Sequence, residues 1–284
     1  MVTESDLQLR DGRTLRMYDS GVGAAEPSLT VYWLHGTPQV GEPPAPLLPE
    51  TERRGIRVVS HDRPGYGGST TQRGRDVAAV VADVTAVVDA LGVDQFAVVG
   101  ASGGGTHALA CAALLPERVL GVVSAAGLAP FDAQDLDWFA GMAAFGQAEL
   151  RAASGGRDLL AAHLATVGDF NPEQFTDADH KFLAGPWSWL GGSSRRALAD
   201  GPDGMLDDDV AYVTPWGFDP ETIGAPVLFL HGAQDRVVPS AHSSWLSQRC
   251  RWAELWLRPD DGHLSVLSRC PAALDWLGEH AKRN

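Results

Sequence analysis

Between residues 29 and 124 the chain alternates short apolar runs with helix-like segments, and that rhythm constrains its fold more than any other feature. Residues 29–34 (LTVYWL) are continuously apolar, the pattern of a strand buried on both faces. A Pro-rich loop and a short helix near 45–54 follow, then a strand at 56–60. Residues 76–91 (DVAAVVADVTAVVDAL) are valine-rich, but their length and the Gly92 stop favour a helix. Strand 95–99, helix 104–115 and strand 119–124 complete the run. Such alternation implies a parallel sheet covered by helices on both faces.

The rhythm then fails. Residues 128–215 contain helical patches and Gly/Pro breaks such as Gly155-Gly156 and Gly201-Pro202, with no buried strand pattern. Alternation resumes with a strand at 227–230 (VLFL), a helix at 240–249, a strand at 254–257 and a helix at 271–280. Ahead of it all, residues 7–9 and 14–18 flank Asp11-Gly12 and read as a β-hairpin. The expected architecture is therefore α/β: a mostly parallel sheet of about eight strands, flanked by helices and interrupted by a mainly helical insertion. Residues 1–127 and 216–284 form the expected core domain, and residues 128–215 the insertion.

Within that frame the stretch VVGASGGG stands out, because Gly100, Gly103, Gly104 and Gly105 surround a single hydroxyl, Ser102. A serine that merely caps the next helix would look similar. The context argues for more: a strand enters the turn and a helix leaves it, at the sheet edge where open α/β folds bind ligands. A serine hydroxyl becomes a nucleophile only when a base takes its proton and an acid orients the base. Asp235 follows the strand 227–230 in HGAQDRVVP, and His263 follows the last strand in PDDGHLS. Each is thereby expected at the same edge as Ser102.

With these residues in place, the chain resembles an α/β-hydrolase fold protein, a serine hydrolase with a cap domain, over nearly its whole length. His35-Gly36-Thr37-Pro38 is similar to that family's HG-x-P oxyanion loop, and residues 62–69 (DRPGYGGS) to its D-x-x-G-x-G-x-S loop. The resemblance implies Ser102 as nucleophile, Asp235 as acid and His263 as base. It implies an oxyanion hole of the Thr37 and Gly103 backbone N–H groups, and a cap formed by the insertion. Asp132 is a rival acid, since some members place the acid after the strand that corresponds to 119–124. His35, His61, Asp62 and Ser69 read as loop-shaping residues. Gly103–Gly105 is not a phosphate loop, because Thr106 and His107 stand where a Lys and hydroxyl pair is required.

The implied activity is hydrolysis of carboxylic esters of small, largely apolar substrates, with no cofactor and no metal. An aminopeptidase of the proline iminopeptidase type is the alternative, for which Glu149, Asp169 and Glu173 offer carboxylates to a substrate amine. A non-catalytic ligand receptor on the same fold is the other. The aromatics Phe131, Trp138, Phe139 and Phe145, with Met142 among them, suggest a helical stripe, read mainly as cap packing. A net charge of −14 disfavours nucleic acid and anionic membranes as partners, leaving a small-molecule substrate. Cys111, Cys250 and Cys270 suggest neither a disulfide framework nor a zinc site. No secretory or membrane-spanning pattern is visible, so a cytoplasmic location is expected.

Overall fold

A computed structural model of the chain describes residues 2–21, 27–167 and 171–281. Eight strands form one sheet: β1 (Thr3–Gln8), β2 (Thr14–Asp19), β3 (Leu29–Leu34), β4 (Ile56–His61), β5 (Phe96–Ala101), β6 (Val119–Ala125), β7 (Val227–Gly232) and β8 (Ala253–Arg258). Their spatial order is β1-β2-β4-β3-β5-β6-β7-β8. The β1–β2 hairpin joins β4 antiparallel, and every later pairing is parallel. The continuous apolar runs are the central strands, and every residue of β5 and β7 is buried. Strand β1 pairs on one side only, and its polar sequence TESDLQ suits an exposed edge.

Helices α1 (Leu48–Arg53), α2 (Val80–Ala90), α3 (Gly103–Leu114) and, at the end of the chain, α10 (Cys270–His280) pack on the core. Helix α2 starts four residues later than its sequence suggests. The Asp76 carboxylate accepts from the Ala79 N–H at 2.8 Å, and Ala78 N–H donates to Trp216 at 2.9 Å. These bonds hold residues 76–79 as a turn rather than a first helical turn.

Between β6 and β7 lie α4 (Ala144–Ser154), α5 (Arg157–Leu164), α6 (Asp177–Leu183), α7 (Trp189–Ala197) and α8 (Asp203–Tyr212), with no strand among the described residues. Helix α9 (Ala241–Ser247) connects β7 to β8. The aromatics at 131–142 do not form a helical stripe. Asp135 at φ +64° and Gly141 at φ +89° break any helix there. The rings of Phe131, Trp138 and Phe139 instead pack edge to face, with centroids 4.9–5.9 Å apart, and the Trp138 indole donates to Ala129 at 2.9 Å. Cys111, Cys250 and Cys270 are buried and unpaired. No helix is long and apolar enough to cross a membrane among the described residues.

Candidate active site

Ser102 sits between β5 and α3 at φ +54°, ψ −128°, a left-handed conformation that a β-carbon disfavours. Close packing enforces it. A β-carbon on Gly100 would lie 2.0 Å from the Gly104 carbonyl, and one on Gly104 would lie 2.0 Å from that of Leu34. Strand and helix therefore converge only because both positions are glycine, and the chain must reverse sharply at Ser102. The Ser102 N–H donates to Ala125 at 2.7 Å, fixing the turn to β6. The start of α3 also places the positive end of a helix dipole beside the serine.

Asp235 and His263 come from the loops after β7 and β8. The two loops interlock: Ala233 N–H donates to Arg258 at 2.8 Å and Gln234 N–H to Asp261 at 3.0 Å. One Asp235 oxygen accepts from the Val237 and Val238 N–H groups at 2.8 and 2.9 Å. The other meets His263 Nδ1 at 2.7 Å and His231 Nε2 at 3.2 Å. His263 Nε2 lies 3.0 Å from Ser102 Oγ. Asp132, by contrast, is exposed on the turn after β6.

The electrostatics suit a base held beside a hydroxyl. Burial opposes ionisation of Asp235, but the charge of His263 and hydrogen bonds from His231 and His263 hold the carboxyl well below the usual range. Burial likewise opposes protonation of His263. The Asp235 carboxylate outweighs it by charge and hydrogen bond, so the imidazole pKa ends above its ordinary value.

The loop after β3 lies against the elbow. A β-carbon on Gly36 would stand 3.5 Å from Ser102 Cβ, and one on Gly103 would stand 3.1 Å from Thr37 Oγ1. Thr37 and Gly103 are thus neighbours beside Ser102. His35 braces this loop as a buried, neutral ring: Nδ1 bonds the Gly36 carbonyl at 2.8 Å, and Nε2 accepts from Arg63 N–H at 3.0 Å. His61 Nδ1 meets the Tyr32 hydroxyl at 2.7 Å. Asp62 accepts from Gly41 and Gly68 N–H groups at 2.5 and 3.0 Å, and Ser69 Oγ donates to the Asp62 carbonyl at 2.6 Å. These side chains shape the loops and do not touch Ser102.

The insertion supplies residues that sequence reading passed over. Asp208 of α8 is fully buried and accepts from Thr37 Oγ1 at 2.7 Å, Tyr66 OH at 2.8 Å and Arg63 Nη2 at 2.6 Å, with Arg75 Nη1 also at 2.6 Å. Tyr212 OH lies 2.8 Å from Thr37 Oγ1 and occupies the space a β-carbon on Gly103 would need. Burial opposes the Asp208 charge, yet Arg63 and Arg75 keep its carboxyl well below the usual range. Removing one partner of such a buried network leaves the others uncompensated. Asp208→Ala should therefore destabilise the fold by about 3–5 kcal/mol, read as a lower urea midpoint at unchanged slope. The run DDD at 207–209 was the available signal, since three adjacent helical positions at about 3.6 per turn spread over more than half the circumference of a packed helix.

Of the insertion's candidate acids, Glu173 is exposed and Asp169 lies outside the described residues. Glu149 borders a cavity of about 280 Å³ with Phe145, Leu164, Leu198 and Met205. Burial pushes its carboxyl up to about 7, and burial together with the neighbouring Glu149 raises that of Asp209.

Comparisons with known proteins bear on the family and the fold. The alpha/beta hydrolase fold family matches residues 30–269. The chain belongs to that family. Within it, the chain is 29% identical over 221 residues to the protein named "Putative carbamate hydrolase RutD" from Caulobacter sp. (strain K31), spanning 73% of this chain and 74% of that one. A shorter match, 36% over 96 residues, links it to epoxide hydrolase B of Mycobacterium tuberculosis (strain ATCC 25618 / H37Rv), covering 33% of this chain and 27% of that protein. Among solved structures, a thermophilic esterase from Thermogutta terrifontis superposes with a TM-score of 0.73 at 21% identity, over 98% of this chain and 99% of that one. At that identity the likeness speaks for the fold.

Proposed function

We propose that this alpha/beta hydrolase cleaves carboxylic esters of small, largely apolar substrates through an acyl-enzyme on Ser102. The observation that carries the reading is the hydrogen-bonded line from Ser102 Oγ through His263 to Asp235, at 3.0 and 2.7 Å, on a left-handed elbow. His263 Nε2 takes the Ser102 proton as Oγ attacks the ester carbonyl, while Asp235 holds the Nδ1–H tautomer. The tetrahedral oxyanion is stabilised by the Thr37 and Gly103 N–H groups, helped by the α3 dipole. His263 then gives its proton to the departing alcohol. In the second half, His263 deprotonates a water that attacks the acyl carbon, and the acid leaves as Ser102 recovers its proton.

Residues 128–215 act as the cap. Val238 on the loop of Asp235 belongs to the same buried apolar cluster as Leu128, Trp138 and Met142 of this segment, and Val266 after His263 to that of Trp187 and Leu190. The apolar content of the segment supports an apolar acyl or alcohol group. Burial raises the carboxyls of both Glu149 and Asp209, which favours the neutral acid over the carboxylate that capture of a substrate amine needs. The buried thiols suit a reducing, cytoplasmic setting.

The test is a series of p-nitrophenyl esters set against prolyl and alanyl arylamides. Each added acyl methylene is worth about 0.8 kcal/mol, so kcat/KM should rise roughly fourfold per methylene until the pocket fills, then fall. A preference for the arylamides that vanishes on acetylating their amino group would replace the esterase reading with the peptidase one. Turnover of neither, with tight binding of a small apolar ligand, would favour a receptor.

A further inference from the structure

One carboxylate links the insertion to the loop of His263. Asp179 of α6 is 1% exposed, and the residues it bonds on that loop lie 85 and 86 positions further along the chain. Its Oδ1 accepts from the Leu264 N–H at 2.8 Å, the Ser265 N–H at 2.8 Å and Ser265 Oγ at 2.9 Å. Its Oδ2 accepts from the Thr176 N–H at 3.0 Å and Thr176 Oγ1 at 2.9 Å. Ser265 Oγ in turn accepts from the Gly262 N–H at 2.8 Å. The residues on both sides of His263 are thus tied, directly or through Ser265, to a single side chain of the insertion. The fit is tight: a β-carbon on Gly262 would stand 2.1 Å from Asp179 Oδ2.

A capping carboxylate needs only the bonds to Thr176, which already close a capping box on α6. The three bonds to Leu264 and Ser265 add nothing to that helix. We propose that Asp179 is a positioning residue, which holds the His263 loop in register with Ser102 so that docking of α6 and competence of the histidine are one event. The proposal rests on the triad reading above. A misplacement of the base by a fraction of its hydrogen-bond length is enough to matter, because the proton moves between Ser102 Oγ and Nε2 over only 3.0 Å. Its charge adds to the effect. Burial opposes ionisation of Asp179, but N–H groups of Ser265, Thr176 and Leu264 keep its carboxyl below the ordinary range. The charged and titratable groups facing the imidazole are Asp235 with His231 behind it, Asp179 and the Ser102 hydroxyl.

The test uses Asp179→Ala and Asp179→Asn in the full chain. With the carboxylate gone, Asp179→Ala should lower kcat for a short p-nitrophenyl ester about 100-fold per folded molecule, with KM within about twofold. Asp179→Asn can keep an oxygen toward Leu264 and Ser265 but loses the charge. It should retain more activity, and the acid limb of its kcat/KM profile should move to lower pH. A substrate-free arm follows the His263 ring by 15N NMR titration in Ser102→Ala with and without Asp179→Asn, where the imidazole pKa should fall in the double variant. Wild-type kcat and an unmoved acid limb in folded variants, with only a lower Tm, would overturn the positioning role. So would an unmoved imidazole pKa in the NMR arm. If the wild type turns over no ester while that pKa falls as expected, the clamp stands and the esterase reading fails.

Discussion

Replacing Asp235 by asparagine should leave the fold intact and lower kcat by about 10⁴. The substitution preserves volume and the acceptor for the Val237 and Val238 N–H groups, so the loop after β7 keeps its shape. What changes is the group 2.7 Å from His263 Nδ1. An amide N–H there favours the tautomer with the proton on Nε2, which then faces Ser102 Oγ as a donor and cannot accept its proton. The loss should fall on kcat, since nothing in this exchange alters the surface that binds substrate. The pH profile supplies a second reading. Wild-type kcat/KM should rise with pH through a His263 pKa above the ordinary imidazole value and level off beyond it, because only the neutral ring is a base. In Asp235→Asn that limb should shift to lower pH, since the carboxylate holding the pKa up is gone. Measuring kcat and the acid limb on the folded variant checks both. A mild Asp235→Asn beside a crippled Asp132→Asn would move the acid to the turn after β6.

The second large effect is expected at the nucleophile. Ser102→Ala removes the only atom able to form the acyl bond in this account, and kcat should fall by about 10⁴- to 10⁶-fold. Stability should not fall with it. Ser102 makes its structural bond through its backbone N–H to Ala125, which alanine retains. The variant keeps a β-carbon at φ +54°, so the backbone strain is unchanged. Equal Tm with lost turnover separates chemistry from folding.

How much of this was legible in the chain follows from where the signals arise. The central strands were, because LTVYWL and VLFL are apolar on both faces and only a covered sheet accepts such runs. So was the convergence of Ser102, Asp235 and His263, because each follows a strand, and parallel strands deliver their C-terminal ends to one edge. The start of α2 was not, since Asp76 chose a side-chain bond to Ala79 over another helical turn. Nor was the packing of Phe131, Trp138 and Phe139, whose order comes from ring contacts between turns rather than a helical period. The partners of Asp179 and Asp208 were not legible, for another reason. They lie 85 residues from Asp179, and 145 and 171 residues from Asp208, across an insertion whose described residues include no strand to fix its register. The capping box of Thr176 and Asp179 is a local feature of the structure, but nothing local calls for the second use of the same carboxylate.

The proposed chemistry requires a covalent bond to Ser102. Treating the folded protein with a small fluorophosphonate and weighing it intact should show one added phosphonyl group. Peptide mapping should place it on Ser102, and the adduct should be absent in Ser102→Ala and formed far more slowly in Asp235→Asn. An adduct mapped elsewhere, or one that persists in Ser102→Ala, would contradict it.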